Sequence, residues 1–381
     1  MRKMTYSNLM GTLLLFLYLG VLMIGTAQGQ EVAKIGVIEP LTGPIAYGGQ
    51  AAANGHKMAV KEINDKGGID IQGKKYKIEL IIEDSKGVPK ESVAATNKLI
   101  SRDHVPLIMG DFTSSCTFAS AEVCEREEIP IISPLSSSPK LTSVGFKYFF
   151  RGRVTTANNV AAAAKFFADL RHKRIAMLAI NDDWGRGDTT LFPPEWKKLG
   201  VEVVAIEYFD QGQSDFYPVL TKLAKTNPEA IFVTASTEPA AMIFKQAREV
   251  ASNIALLTSG GIDPTECLRL AGAKAMEGLW FWSVDPPPTP EILAFDKKYE
   301  EMFKSKSMSN AKSGYDVAII VGDALKRAGT VKDPKTIRDA LAKTKYKGYM
   351  GDYYFDEKGE SFLKMNFGVF KGGVFTIQKG P

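Results

Sequence analysis

Two serine-rich segments carry the residue types best suited to hold a small anion. The first, Asp111-Phe112-Thr113-Ser114-Ser115, lies between an apolar run expected to form a strand (Leu107 to Met109) and one expected to form a helix (Thr117 to Cys124). A helix N-terminus presents backbone N–H groups without intrahelical acceptors and a partial positive charge, and serine hydroxyls add donors. That combination suits a carboxylate. Simple helix capping by serine or threonine is the plainer alternative. The second segment, Ser133-Pro134-Leu135-Ser136-Ser137-Ser138-Pro139, sets serines between prolines. It reads either as a rigid polar lip or as a surface turn. A third polar loop, Asn181-Asp182-Asp183-Trp184-Gly185-Arg186-Gly187, follows another strand-like run, and Trp184 by itself reads as a packing residue as readily as a binding one.

Catalytic and cofactor patterns are missing. Gly68 to Lys75 matches GxxxxGK, but lysine follows where serine or threonine is required, and the match stands between a helix and a strand, the reverse of a phosphate loop. His56, His104 and His172 are scattered, no nucleophile elbow occurs, and no CxxC-like metal or redox pattern exists. No cofactor and no metal are expected. Cys116 and Cys124 fall on one helix about 12 Å apart, beyond disulfide reach. Buried free thiols are expected, with Cys267 able to bridge only if the fold brings it close.

The elements that position these segments alternate. Ile35, Val37 and Ile38 form a buried strand, and Pro40, Gly43 and Pro44 break it. A helix follows with Ala53, His56, Met58, Ala59 and Ile63 on its inward stripe, ending at Gly67-Gly68. Strand-like Tyr76 to Ile82, helix-like Ser92 to Ile100 and strand-like Pro130 to Ile132 continue the series. A second series begins near Thr156 and runs to Ile254–Leu257, with helix-like Leu191 to Leu199 inside it. Such alternation argues for parallel sheets covered by helices on both faces, with right-handed crossovers. The tract Asp285-Pro286-Pro287-Pro288 then reads as a connector back to the first unit, completed by helices over Pro290 to Phe303 and Tyr315 to Arg327.

The stretches PLTGP, AVKEINDKGG, ISPLSSSPKLT and FDEKGE, in this order from about Lys34 to about Phe370, closely resemble the solute-binding proteins of branched-chain amino acid ABC transporters. The resemblance implies the type I periplasmic binding fold, an α/β architecture of two Rossmann-like lobes with a three-crossover hinge. Crossings are expected near Gly152, Asp285 and Phe362. The expected lobes are 30–152 with 286–361, and 153–285 with 362–381. Multiple crossings restrict motion to a hinge, which suits closure on a ligand. The resemblance places Ser114 and Ser137 on carboxylate-binding hydroxyls, Leu135 on a backbone contact, Ser136 in the same lip, and Trp184 on an aromatic that closes over the ligand. Tyr47 lies one residue from the family's first aromatic position, which is Gly48 here.

Departures appear on the second lobe. The family's acid facing the ligand ammonium falls on Gly260, and Thr237 stands where some members carry tyrosine. Asp263, Glu238 or Asp183 could substitute for that acid, or the ligand could lack an amine; the family also includes receptors for aromatic carboxylates, amides and urea. Arg151 and Arg153 flank the first crossover and suit either a second carboxylate or a hinge ion pair.

Arg2 and Lys3, an apolar run from Leu13 to Ile24, and Ala27-Gln28-Gly29 read as a cleaved secretory leader over 1–29, giving a periplasmic protein. The formal net charge of +5, smaller once Arg2 and Lys3 leave, comes without a basic run interleaved with aromatics, which argues against nucleic acid. The expected function is a monomeric receptor that captures a small carboxylate-bearing solute and delivers it to ABC permease subunits. A sensor subunit of the same fold and an enzyme using the cleft are the competing classes.

Overall fold

The computed structural model describes residues 31–283 and 288–378. The leader region and the crossing near Asp285 lie outside the described residues. The first lobe is built on strands β1 (Glu31–Glu39), β2 (Ile69–Ile71), β3 (Lys74–Asp84), β4 (Ile108–Gly110), β5 (Ile131–Ser133) and β6 (Phe149–Arg151). Their order is β2-β3-β1-β4-β5-β6. Helices α1 (Ala46–Asp65), α2 (Pro89–Ser101), α3 (Ser114–Arg126) and α4 (Lys140–Ser143) connect them. Ile35, Val37 and Ile38 in β1 are fully buried, as the continuous apolar run of a strand covered on both faces requires. Ala53, His56, Met58 and Ala59 form the buried side of α1, while Ile63 is only half-buried.

The second lobe contains β7 (Arg174–Ile180), β8 (Glu202–Phe209), β9 (Ala230–Thr234), β10 (Ala255–Thr258) and β11 (Trp280–Ser283). Helices α5 (Thr156–Asp169), α6 (Asp183–Lys198), α7 (Tyr217–Ala224), α8 (Thr237–Val250), α9 (Pro264–Ala271) and α10 (Ala273–Met276) cover it. The expected polar loop after β7 is therefore largely helix: α6 begins at Asp183 rather than near Leu191. Asp182 caps it, its Oδ1 accepting from the amides of Trp184 and Gly185 at 2.9 Å each, and this offsets the low helix propensity of the glycines.

The chain then returns to the first lobe as α11 (Pro290–Phe303), α12 (Ser309–Ala328) and α13 (Pro334–Ala342), with a small hairpin of β12 (Lys345–Lys347) and β13 (Asp352–Tyr354). It ends on the second sheet as β14 (Asn366–Lys371) and β15 (Val374–Gln378), giving the order β15-β14-β11-β10-β9-β7-β8. Both sheets are parallel at their centres, but β2 pairs antiparallel with β3, and β14 and β15 extend the second sheet antiparallel from β11. Stacking of Phe166 on Phe367, centroids 4.0 Å apart, fastens β14 beneath α5.

Arg151 supplies the hinge ion pair. Fully buried, it donates from Nε to Glu360 at 2.9 Å and from its terminal nitrogens to the carbonyls of Ser136 at 2.6 Å and Ser138 at 2.7 Å. One guanidinium thus ties the first crossover to the third and clamps the serine lip.

Candidate functional site

A cavity of about 260 Å³ lies between the carboxyl ends of the two sheets, walled by both lobes. Open α/β sheets hold ligands at this end of their strands. Its first-lobe wall comes from the turn after β4, the serine lip after β5 and the loop between β1 and α1. Thr113 caps α3, its hydroxyl accepting from the Cys116 amide at 3.2 Å, so Ser114 sits in the first helical turn. The Ser114 hydroxyl accepts from the Ser138 amide at 3.2 Å, which leaves its proton to donate. Ser137 faces the same space. Its carbonyl accepts from the Thr156 amide and the Thr155 hydroxyl, both at 3.2 Å, fixing the lip against α5.

Buried Asp111 organises this wall. Its carboxylate accepts from Ser92 at 2.7 Å and Ser85 at 3.1 Å, and its carbonyl accepts from Ser133 at 3.0 Å. Burial pushes its carboxyl up to about 6 against those hydrogen bonds. Phe112, next in sequence, turns its ring into the cavity and fills the space beside Gly48, where a Cβ would lie 2.6 Å from the ring. Phe112, from another loop, thus occupies the space that a side chain at Gly48 would take.

On the second lobe, Trp184, Phe209, Met242 and Trp282 give apolar surface, and Gln211 and Gln213 give amides. Two carboxyls reach the cavity. Asp182 is pushed up to about 6 by burial, held down in part by the amides of Gly185 and Trp184. Glu238 is raised by burial and held down by its own amide and that of Tyr47. Arg153 also lines the space and donates to the Gly260 carbonyl at 2.9 Å.

Ser114, Leu135, Ser137, Trp184 and Gly260 therefore meet at one cavity. Four other expected residues are used elsewhere. The Ser136 hydroxyl is turned inward to Thr117 and the Asp111 carbonyl. Thr237 accepts from the Asp263 amide at 2.8 Å, and the Asp263 carboxylate caps α9 by accepting from Glu266 at 2.7 Å. Tyr47 packs half-buried beside Asp263 and Glu266, outside the cavity wall, and burial with those charges raises its phenol. Of the three substitute acids, Asp183 pairs with Lys140 at 3.3 Å and only Glu238 lines the cavity. Asp182, Phe112, Met242 and Trp282 carried no signal of their own in the sequence, since each has an ordinary packing or capping role that explains it equally well. All three cysteines are buried and free, and burial pushes the Cys116 thiol up to about 12, which keeps it unreactive.

The periplasmic binding protein family model matches residues 32–373. The chain belongs to the periplasmic binding protein family. Relatives include the leucine-, isoleucine-, valine-, threonine- and alanine-binding protein of Pseudomonas aeruginosa, 27% identical over 339 residues and 88% of each chain. The Leu/Ile/Val-binding protein of Escherichia coli K12 is 26% identical, covering 95% of this chain and 96% of the relative. Among solved structures, the branched-chain amino acid transporter substrate-binding protein LivJ of Streptococcus pneumoniae, in complex with isoleucine, superimposes with a TM-score of 0.82 at 26% identity, over 92% of this chain and 100% of that one. This periplasmic binding protein has two α/β lobes with a cleft between them. No helix among the described residues is long and apolar enough to cross a membrane.

Proposed function

We propose that this chain is the solute receptor of an ABC importer, closing its lobes over a small carboxylate-bearing solute and presenting it to permease subunits outside the cytoplasm. The observation that carries this is the first-lobe anion seat: Ser114 in the opening turn of α3 and Ser137 on the clamped lip, facing a cavity that both lobes enclose. Hydroxyls and helix amides hold a carboxylate without spending an arginine on it. The relatives' amino acid ligands support the same class of solute. The leader over 1–29 fits export. Lobes of 30–152 with 286–361 and 153–285 with 362–381 fit the membership of the two sheets. The seat pairs neither serine with an adjacent base, which favours a binder over a catalyst.

Hydrogen bonds to a charged group contribute about 1.5–3 kcal/mol each. Replacing Ser114→Ala and Ser137→Ala together should weaken carboxylate binding by at least about a hundredfold. Calorimetry measures this, with the unliganded melting temperature lowered only by the loss of the Ser138 amide's acceptor at Ser114. Retained affinity in the double variant would remove the seat and the reading built on it.

A further inference from the structure

The second-lobe end of the cavity is shaped by two adjacent glycines and two indoles. A Cβ built on Gly260 would lie 2.8 Å from Cε3 and Cζ3 of Trp282, and one on Gly261 would lie 2.1 Å from Cη2 of Trp184. Both rings and both glycines line the cavity. Each missing side chain is thus replaced by the edge of a tryptophan, and the two indoles meet one short stretch of backbone. Arg153 holds that stretch in place through the Gly260 carbonyl at 2.9 Å. No acidic side chain can enter at Gly260 while Trp282 stays where it is. Phe112 and Phe209 add two further rings to the walls. Of the acids that remain, Asp182 accepts at one oxygen from two amides of its own helix, and Glu238 lines the cavity from α8.

We infer that the solute is an aromatic acid, with its carboxylate on Ser114 and Ser137 and its planar ring against the wall that Trp184 and Trp282 form over Gly260-Gly261. This rests on the receptor reading above and narrows it. Aromatic pairs gain affinity beyond the area they bury, whereas an aliphatic group of equal size gains only burial. Trp184 and Trp282 would then be the residues that set specificity.

Calorimetry on the full protein, stripped of carried solute by unfolding and refolding, tests the inference with phenylacetate, cyclohexylacetate, phenylalanine, leucine and isoleucine. The better of phenylacetate and phenylalanine should bind about tenfold or more tighter than leucine, and phenylacetate tighter than cyclohexylacetate. Phenylacetate ahead of phenylalanine assigns simple aromatic acids. The reverse order assigns aromatic amino acids, with Asp182 and Glu238 receiving the amine. Trp184→Leu should bring phenylacetate and cyclohexylacetate to within about twofold. Tightest binding of leucine or isoleucine would overturn the aromatic assignment and leave the receptor intact. If no carboxylate in the series bound, both would fall.

Discussion

Asp188 is a fully buried carboxyl on α6 whose two oxygens accept from Thr156 and Thr234, each at 2.9 Å. Burial outweighs those hydrogen bonds and pushes it up to about 7. The folded protein therefore keeps a proton that the unfolded chain releases near pH 4. Its contribution to stability is complete below about pH 4 and is lost progressively as pH rises to about 7, at up to about 1.4 kcal/mol per pH unit. Asp188→Asn cannot titrate, so its melting temperature should fall less between pH 4 and 7 than that of the unaltered protein. Parallel melting curves would mean that Asp188 is ionised throughout. Asp111 and Asp182, both raised to about 6, remain in the variant and keep some of the slope. No sequence pattern marks Asp188, because its environment is assembled from threonines on α5 and β9. Ser114 and Ser137 were expected at the cavity from the motif resemblance, with helix-terminus chemistry added at Ser114, and both line it. The rings of Phe112 and Trp282 were not legible, because what brings each into the cavity is a glycine far along the chain, at Gly48 and Gly260.

Between elements, α1 and α12 approach each other closely. A Cβ on Gly55 would lie 2.0 Å from the Ala311 carbonyl oxygen, and one on Gly314 would lie 2.3 Å from the Ala52 carbonyl oxygen. The two glycines thus let the backbones meet reciprocally, and they seat the returning segment on the first lobe. Gly314→Ala inserts a methyl where backbone stands, and overpacking of this kind costs about 1–3 kcal/mol. A lower denaturant midpoint with an unchanged slope is expected; an unaltered midpoint would show that the helices can separate freely. The apolar stripe of α1 revealed which face is buried. It gave no hint that α12 is the partner, since two glycines on different helices announce close packing only once the helices are set side by side. The same limit explains α6, whose glycine-rich start reads as loop until the Asp182 cap is seen. It also explains the antiparallel additions at the sheet edges, which carry the same alternation of residues as parallel strands.

At the scale of the whole molecule, the lobes are in contact around the cavity. The Asp183 amide donates across the cleft to the Ser115 hydroxyl at 2.9 Å, Lys140 pairs with the Asp183 carboxylate at 3.3 Å, and Gln211 donates to the Gly87 carbonyl at 3.2 Å. Contacts made only when the lobes meet stabilise the closed state, and a ligand shifts the same equilibrium through its differential affinity for that state. Lys140 and Ser115 lie outside the cavity wall, so Lys140→Ala with Ser115→Ala weakens the clasp without touching the solute. The pair is partly exposed, where such interactions contribute about 0–1 kcal/mol, and the lost hydrogen bond adds about as much again. The dissociation rate should therefore rise about two- to thirtyfold. The association rate should hold, because encounter takes place with the lobes apart. Stopped-flow tryptophan fluorescence with the tightest-binding carboxylate reads both rates. A slower association with an unchanged dissociation would place the clasp before capture rather than after it, and the order of events in closure would have to be reversed.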